Sequence, residues 1–318
     1  MTVDVGSDAT AAVPAVAAAA DETAPGETAP GATAPGGAVA VPAAPAPATA
    51  GRSWTRFRGA LLNKFLLPLS VFALFIGVWY LISGLTLTRQ QRFMLPLPHD
   101  VVRVGILDWS NFKVTLEALR YTVTVTFLGL AISIVLGVLA AMLMHQAKWI
   151  ENSLYPWAIV LQTVPILALT GVLSFFFGFA LTSRTIVCVI ISFFPIVSNT
   201  LFGLQSVDRG MHELFTLHRP GRLTRLWKLE LPAALPAMFT GLRNAAGLSV
   251  IGAIVGEFFF KQGNAGLGTH LSVFQSRLEG ERLWATTLVA SLLGIIVFVF
   301  FGWLSRRVVG RWYQPKRG

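Results

Sequence analysis

Few residues in this 318-residue chain have the chemistry to build a site, because 54% of it is hydrophobic and only 13% is charged. Glu257 and Arg243 flank one long apolar run. Ionisable groups at membrane depth are costly, so both are candidates for function, either in gating or as a structural ion pair. Arg243 can snorkel to one interface and Glu257 lies near the other. Gln162, Pro165 and Asn199 sit in other apolar runs, each close to an internal proline. A proline there frees backbone groups that protein or a water-filled path must satisfy, so these three are the candidates for lining a path. Packing of a bent helix is the plainer reading. His145 reads as an interfacial histidine at a helix end rather than a ligand, and His270 has no second ligand beside it. Cys188 stands alone in an apolar run, a small buried hydrophobe rather than part of a disulfide or metal site. Gly263-Asn-Ala-Gly266-Leu-Gly268-Thr-His lacks the lysine of a phosphate loop. With no HExxH, nucleophile elbow or paired carboxylates either, no catalytic or metal residue is assigned.

The chemistry that does cluster is basic and amphipathic. Val207 to Pro236 interrupts two apolar runs and carries Arg209, Arg219, Arg222, Arg225 and Lys228. Leu223, Leu226 and Trp227 recur at helical spacing with Arg222, Arg225 and Lys228 opposite. This predicts a short amphipathic helix with one docking face. Leu231-Pro232 and Leu235-Pro236 are expected to stop that helix and begin another.

Glu213-Leu214-Phe215 through Arg219, followed by Leu231-Pro232-Ala-Ala-Leu235-Pro236, resembles the EAA loop of permease subunits of ATP-binding-cassette (ABC) importers. The flank Phe239-Thr240-Gly241-Leu242-Arg243 belongs to the same resemblance, which covers roughly residues 120 to 307. It points to the branch importing nitrate, sulfonates, taurine, thiamine-pyrimidine precursors or riboflavin. The resemblance implies a cytoplasmic coupling helix seated in a partner ATPase, with ATP and Mg on that partner and no cofactor on this chain. It also implies pairing with a second permease copy, and an extracytoplasmic solute-binding protein that delivers substrate. The family's usual glycine is Arg219 here, and its small second and third residues are Leu214 and Phe215. Pro220-Gly221 is expected to supply the turn instead, because glycine reaches backbone angles that arginine avoids.

These residues need elements long enough to place them in a bilayer. A mean hydropathy of +0.65 indicates a polytopic membrane protein. Runs of about 20 apolar residues predict six helical spans near 65–87, 121–144, 154–180, 185–204, 237–260 and 283–305. The fold class expected is therefore all-α, a six-helix permease. Pro156 and Pro165 divide the third run into a short approach segment and a kinked span. Arg89 to Arg120, with Leu95-Pro96-Leu97-Pro98 and then Val101, Val102, Ile106 and Leu107, is read as an external loop with a short interfacial helix. Gly252 and Gly256 form a small-xxx-small pair that lets helices approach closely. Residues 1 to 51, rich in Ala, Pro, Gly and Thr with five acids and no Lys or Arg, are expected to be a disordered tail. They have no basic segment ahead of an apolar core, unlike a secretory signal.

Six spans place both termini on the side of the basic loop. Sixteen cations then fall on that side against nine, Arg184 among the nine, which makes it the cytoplasmic side of a cell membrane. The net charge of +10 therefore sets topology and is not a nucleic-acid signal. The alternative class is a secondary transporter or channel with its site at broken helices around Pro165 and Pro195. Such a protein needs coupling carboxylates near mid-bilayer, and the spans between Tyr121 and Gly256 have none. The Glu257-Phe258-Phe259-Phe260 run leans the expected solute toward an aromatic, vitamin-type molecule.

Overall fold

The computed structural model describes residues 53–88, 90–217 and 219–310, with side chains from residue 66 onward; the expected disordered tail lies outside the described residues. Contacts divide the chain after Ala60, and of the first unit only the start of α1 (Ser53–Leu81) is described. The second unit holds α2 (Pro98–Val102), α3 (Trp109–Gln146), α4 (Lys148–Thr163), α5 (Ile166–Phe177) and α6 (Leu181–Gln205). It continues with α7 (Arg209–Leu217), α8 (Arg222–Arg225), α9 (Leu231–Phe259), α10 (Leu267–Ser276) and α11 (Gly280–Val309). Among the described residues five helices are long and apolar enough to cross a membrane, and there are six if the bent pair α4–α5 is one broken span. The architecture is all-α, as the apolar runs require.

The centre is α9, 29 residues long and so about 44 Å at 1.5 Å per residue, enough to cross a hydrocarbon core. It packs antiparallel to α6: Arg184 of α6 bonds to Phe260 at one end, and Gly203 of α6 abuts Ala234 at the other. Small residues allow this approach. A β-carbon on Gly252 would stand 2.8 Å from the Cys188 backbone, and one on Gly256 would stand 3.3 Å from that of Arg184. Around this pair α3 and α11 close a core of Leu130, Ile196, Ala245, Ala246, Val250, Leu293 and Val297. At the α10 end, α1 is tied by Trp79 Nε1 donating to Pro96 O (3.0 Å) and Ser83 Oγ donating to Leu95 O (2.8 Å).

Three expectations are corrected by the helix bounds. Pro156 lies inside α4 without dividing it, and the whole bend of 98° falls at Val164–Pro165. Pro165 there has no amide hydrogen to give and caps α5 from extended backbone. Pro195 lies within α6, which continues past it. α6 also begins at Leu181 rather than 185, which draws Arg184 into the helix and fully out of solvent.

Pro232 and Pro236 do not break the chain. A wide turn over Leu226–Glu230 joins α8 to α9, so that helix runs from Arg222 to Phe259. Pro232 lies just past the wide turn, where the backbone pattern changes from Leu226–Glu230 to α9.

Candidate functional site

Three places concentrate polar side chains, and they divide the residues singled out above. At the α7–α8 end, α7 stands apart with no buried residue, and Met211, Leu214 and Leu217 recur along it with large exposure. Glu213 is exposed beside them and Phe215 is half-buried. Arg225 Nη2 donates to Thr216 Oγ1 at 3.0 Å and ties α8 back to α7. The docking face expected over residues 223–227 is split. Leu223 and Trp227 are exposed, whereas Leu226 is buried against Leu204 and Ala234. Leu231 is half-buried and Pro232 exposed. The wide turn is what rotates Leu226 inward.

The turn between α7 and α8 is also not the one expected. Gly221 has an ordinary φ of −63°. Arg219 itself takes the left-handed conformation, φ +44°, and its N–H donates to Thr216 O at 3.0 Å. The position keeps a glycine's backbone geometry with an arginine in it. Below it, His145 Nε2 donates to buried Glu230 Oε2 at 2.9 Å and joins α3 to the root of this segment.

A second place is a wide, open groove with a volume of about 980 Å³, bordered by α4, α6, α9, α10 and α11. Gln162, Asn199, Ser198, Asn244, Thr287 and Ser291 give it amides and hydroxyls, and Phe194 and Phe298 give it aromatic faces. None of its lining residues ionises. Gln162 and Asn199, candidates from different spans, meet here; Pro165 stands at the bend beside Gln162's helix and is not in the lining. Arg243 lies over the Phe298 ring at 4.0 Å, which holds its guanidinium against α11.

Glu257 belongs to neither place. It is fully buried beside α3 and α10, where its Oε2 accepts from Thr122 Oγ1 (2.8 Å) and from the Gly268 N–H (3.0 Å). Thr122 Oγ1 accepts in turn from the Leu267 N–H at 2.9 Å, and Thr269 Oγ1 donates to Glu257 O at 3.1 Å. Gly266 lies so close to the Glu257 carboxylate that a β-carbon would collide with it.

Arg184, which the sequence reading put between spans, completes this cluster. Its guanidinium donates to the carbonyls of Phe260 and Gln262 at 2.7 Å each and to that of Asn264, and it lies 5.1 Å from the Tyr121 ring centre. Nothing local in the sequence reveals that the carbonyls beyond α9 lie against Arg184. On the far side of α10 is a cleft of about 270 Å³ that includes Asn111, His270, Phe274 and Arg282. Burial pushes the His270 imidazole below its ordinary pKa.

Five crossing helices, a bent helix pair that counts as a sixth pass if it is one broken span, an exposed amphipathic helix at one end and a groove without ionised lining together fit a membrane transport subunit. Residues 133–310, more than half the chain, match the family described as the binding-protein-dependent transport system inner membrane component. The chain belongs to that family: it is a multi-pass inner membrane permease subunit of an ABC importer for small solutes, and not itself an enzyme. Such a system implies ATPase and solute-binding partners. The chain is 35% identical over 232 residues to the formylaminopyrimidine transport permease protein of Halalkalibacterium halodurans, covering 73% of this chain and 90% of that one. It is 30% identical to the riboflavin transport system permease protein of Chloroflexus aurantiacus, covering 82% and 94%. The nitrate import permease protein of Leptolyngbya laminosa is 28% identical, covering 83% and 96%. Family membership sets aside the secondary-transporter and channel alternative.

Proposed function

We propose that the 980 Å³ groove is the translocation path and that its solute is a small neutral heteroaromatic of the aminopyrimidine kind. The observation that carries this is the lining: amides, hydroxyls and two aromatic faces, without an ionised group. An anion such as nitrate or a sulfonate needs fixed cations or converging N–H donors to replace its water. A planar neutral ring needs aromatic contact and a few hydrogen-bonding partners. The resemblance to a formylaminopyrimidine permease agrees with this lining.

In this reading two copies of the chain enclose the path, and α7 of each docks on one cytoplasmic ATPase carrying ATP and Mg. The α7–α8 end faces the cytoplasm and the α10 end faces the binding protein. Closure of the ATPases on ATP moves α7, and the contact of His145 with Glu230 passes that motion to α3. Gln162 and Asn199 hold the solute in transit, and Pro165 lets α5 move against α4.

Uptake by the complex purified from its native membrane, reconstituted with its binding protein, tests the solute. Labelled formylaminopyrimidine is expected to accumulate with ATP, while nitrate and taurine do not. Accumulation of nitrate, an anion, or of taurine, a zwitterion with a sulfonate head, without the pyrimidine would overturn the assignment. Docking is tested separately with Met211→Glu and Leu217→Glu, which are expected to abolish co-purification of the ATPase while the permease still folds. Retention of the ATPase by both variants would place docking elsewhere.

A further inference from the structure

Helix α10 is a wall between the cleft and the groove. Thr269, Val273 and Arg277 recur every four residues and line the 270 Å³ cleft. Leu271, two residues from Thr269 and from Val273, points to the opposite side and lines the 980 Å³ groove. One helix thickness separates the two spaces.

The ends of this wall are held very differently. At its N-terminal end Glu257 and Thr122 take up the N–H groups of Gly268 and Leu267, and Arg184 grips three carbonyls of the preceding loop. All three side chains are buried. Its C-terminal end has an exposed Arg277 4.0 Å from Glu279 and then turns at Leu278 with φ +59°. A void of about 160 Å³, lined by Phe93, Gln275 and Leu278 among others, lies beside that turn.

We propose that α10 is the gate between cleft and path, pivoting on the Glu257–Thr122 pin while its C-terminal half swings into the adjoining voids. The cleft is then the site where solute waits after leaving the binding protein. Unlike the path, the cleft is also lined by two cations, Arg277 and Arg282; with His270 and Phe274 stacked 5.4 Å apart and the amide of Asn111, they would hold a planar polar solute by ring contact and donated hydrogen bonds. The gate rests on the reading of the large groove as the path.

Thiol accessibility tests it without knowledge of the solute. The chain has one cysteine, Cys188, so Leu271→Cys and Val273→Cys are each built on Cys188→Ala. A membrane-impermeant methanethiosulfonate is added to right-side-out vesicles, either empty or loaded with ATP, Mg and vanadate. Val273→Cys is expected to react in both states. Leu271→Cys should react at least ten-fold faster when nucleotide is trapped, and adding Glu257→Gln should raise its resting rate several-fold. If vanadate traps nucleotide but Leu271→Cys reacts equally in both states, or Val273→Cys reacts in neither, the gate is refuted and the importer reading stands. If no nucleotide is trapped, the importer reading fails and the gate with it. The comparison of states leaves the pivot intact, so it decides the matter even where Glu257→Gln does not accumulate.

Discussion

Arg219 shows how a single position can keep its geometry while losing its usual residue. The left-handed region costs a residue with a β-carbon about 1–2 kcal/mol, which glycine avoids. Arg219→Gly is therefore expected to stabilise the protein by about 1 kcal/mol and leave ATPase co-purification intact, read as a rise in the thermal midpoint in detergent. Loss of stability would mean the guanidinium has a contact that outweighs the strain. Arg184 is the opposite case, a charge buried because it has partners. Arg184→Met would strand the buried carbonyl of Phe260, at a cost of about 1–3 kcal/mol, and would release the more exposed carbonyls of Gln262 and Asn264, so folded yield should fall. Arg184→Lys should recover part of it. A normal yield for Arg184→Met would show that water replaces the guanidinium at those carbonyls. The sequence names both arginines but places neither. The Arg184 partners lie 76 to 80 residues away, beyond the reach of any local pattern.

Elements were legible where a repeating pattern set them. Runs of apolar residues located the crossing helices, because hydrocarbon length depends on composition alone. Proline was a poorer guide: Pro156, Pro195, Pro232 and Pro236 all lie within helices, and only Pro165 marks a break. A neighbouring helix can satisfy or shield the groups a proline frees, and that neighbour is a tertiary fact.

Helix contact makes its own prediction on α9. Gly252→Val should cost at least 2 kcal/mol, since its side chain meets α6 backbone, which cannot move aside. Gly247→Ala, whose β-carbon would stand 3.8 Å from the Phe298 ring, should be neutral or gain about 0.5 kcal/mol from helix propensity. Equal effects of the two, in thermal unfolding of the detergent-solubilised protein, would contradict the packing described.

On α10, the pKa of His270 is lowered from 6.5 by burial, so the folded state binds fewer protons than the unfolded one. Its contribution is complete above about pH 6.5 and declines as pH falls through the lowered value. The protection factors of the α10 amides, which correct exchange for its intrinsic slowing in acid, should fall from about pH 7 to 5, and His270→Phe should remove that fall. Protection factors that stay flat over this range in the wild type would refute it.

For the molecule as a membrane subunit, large apolar side chains remain exposed along α1, α3, α5 and α11. Lipid and a second copy are the surfaces expected to cover them. Mass measurement of the complex in lipid nanodiscs should give two permease chains and two ATPases. A single permease chain with one ATPase would exclude a path enclosed by two copies.

Composition, apolar run length and the EAA-like loop were enough to establish a helical membrane permease. Those properties are set locally, by how many consecutive residues avoid water and where the cations resume. Which polar residues meet was decided by the tertiary structure alone. Thr122 and Glu257 are 135 residues apart, and Arg184 reaches across to the end of α9. Burying an ionisable group is tolerable only where distant donors and acceptors converge on it. That convergence depends on how helices pack, which the spacing of residues along one chain does not encode.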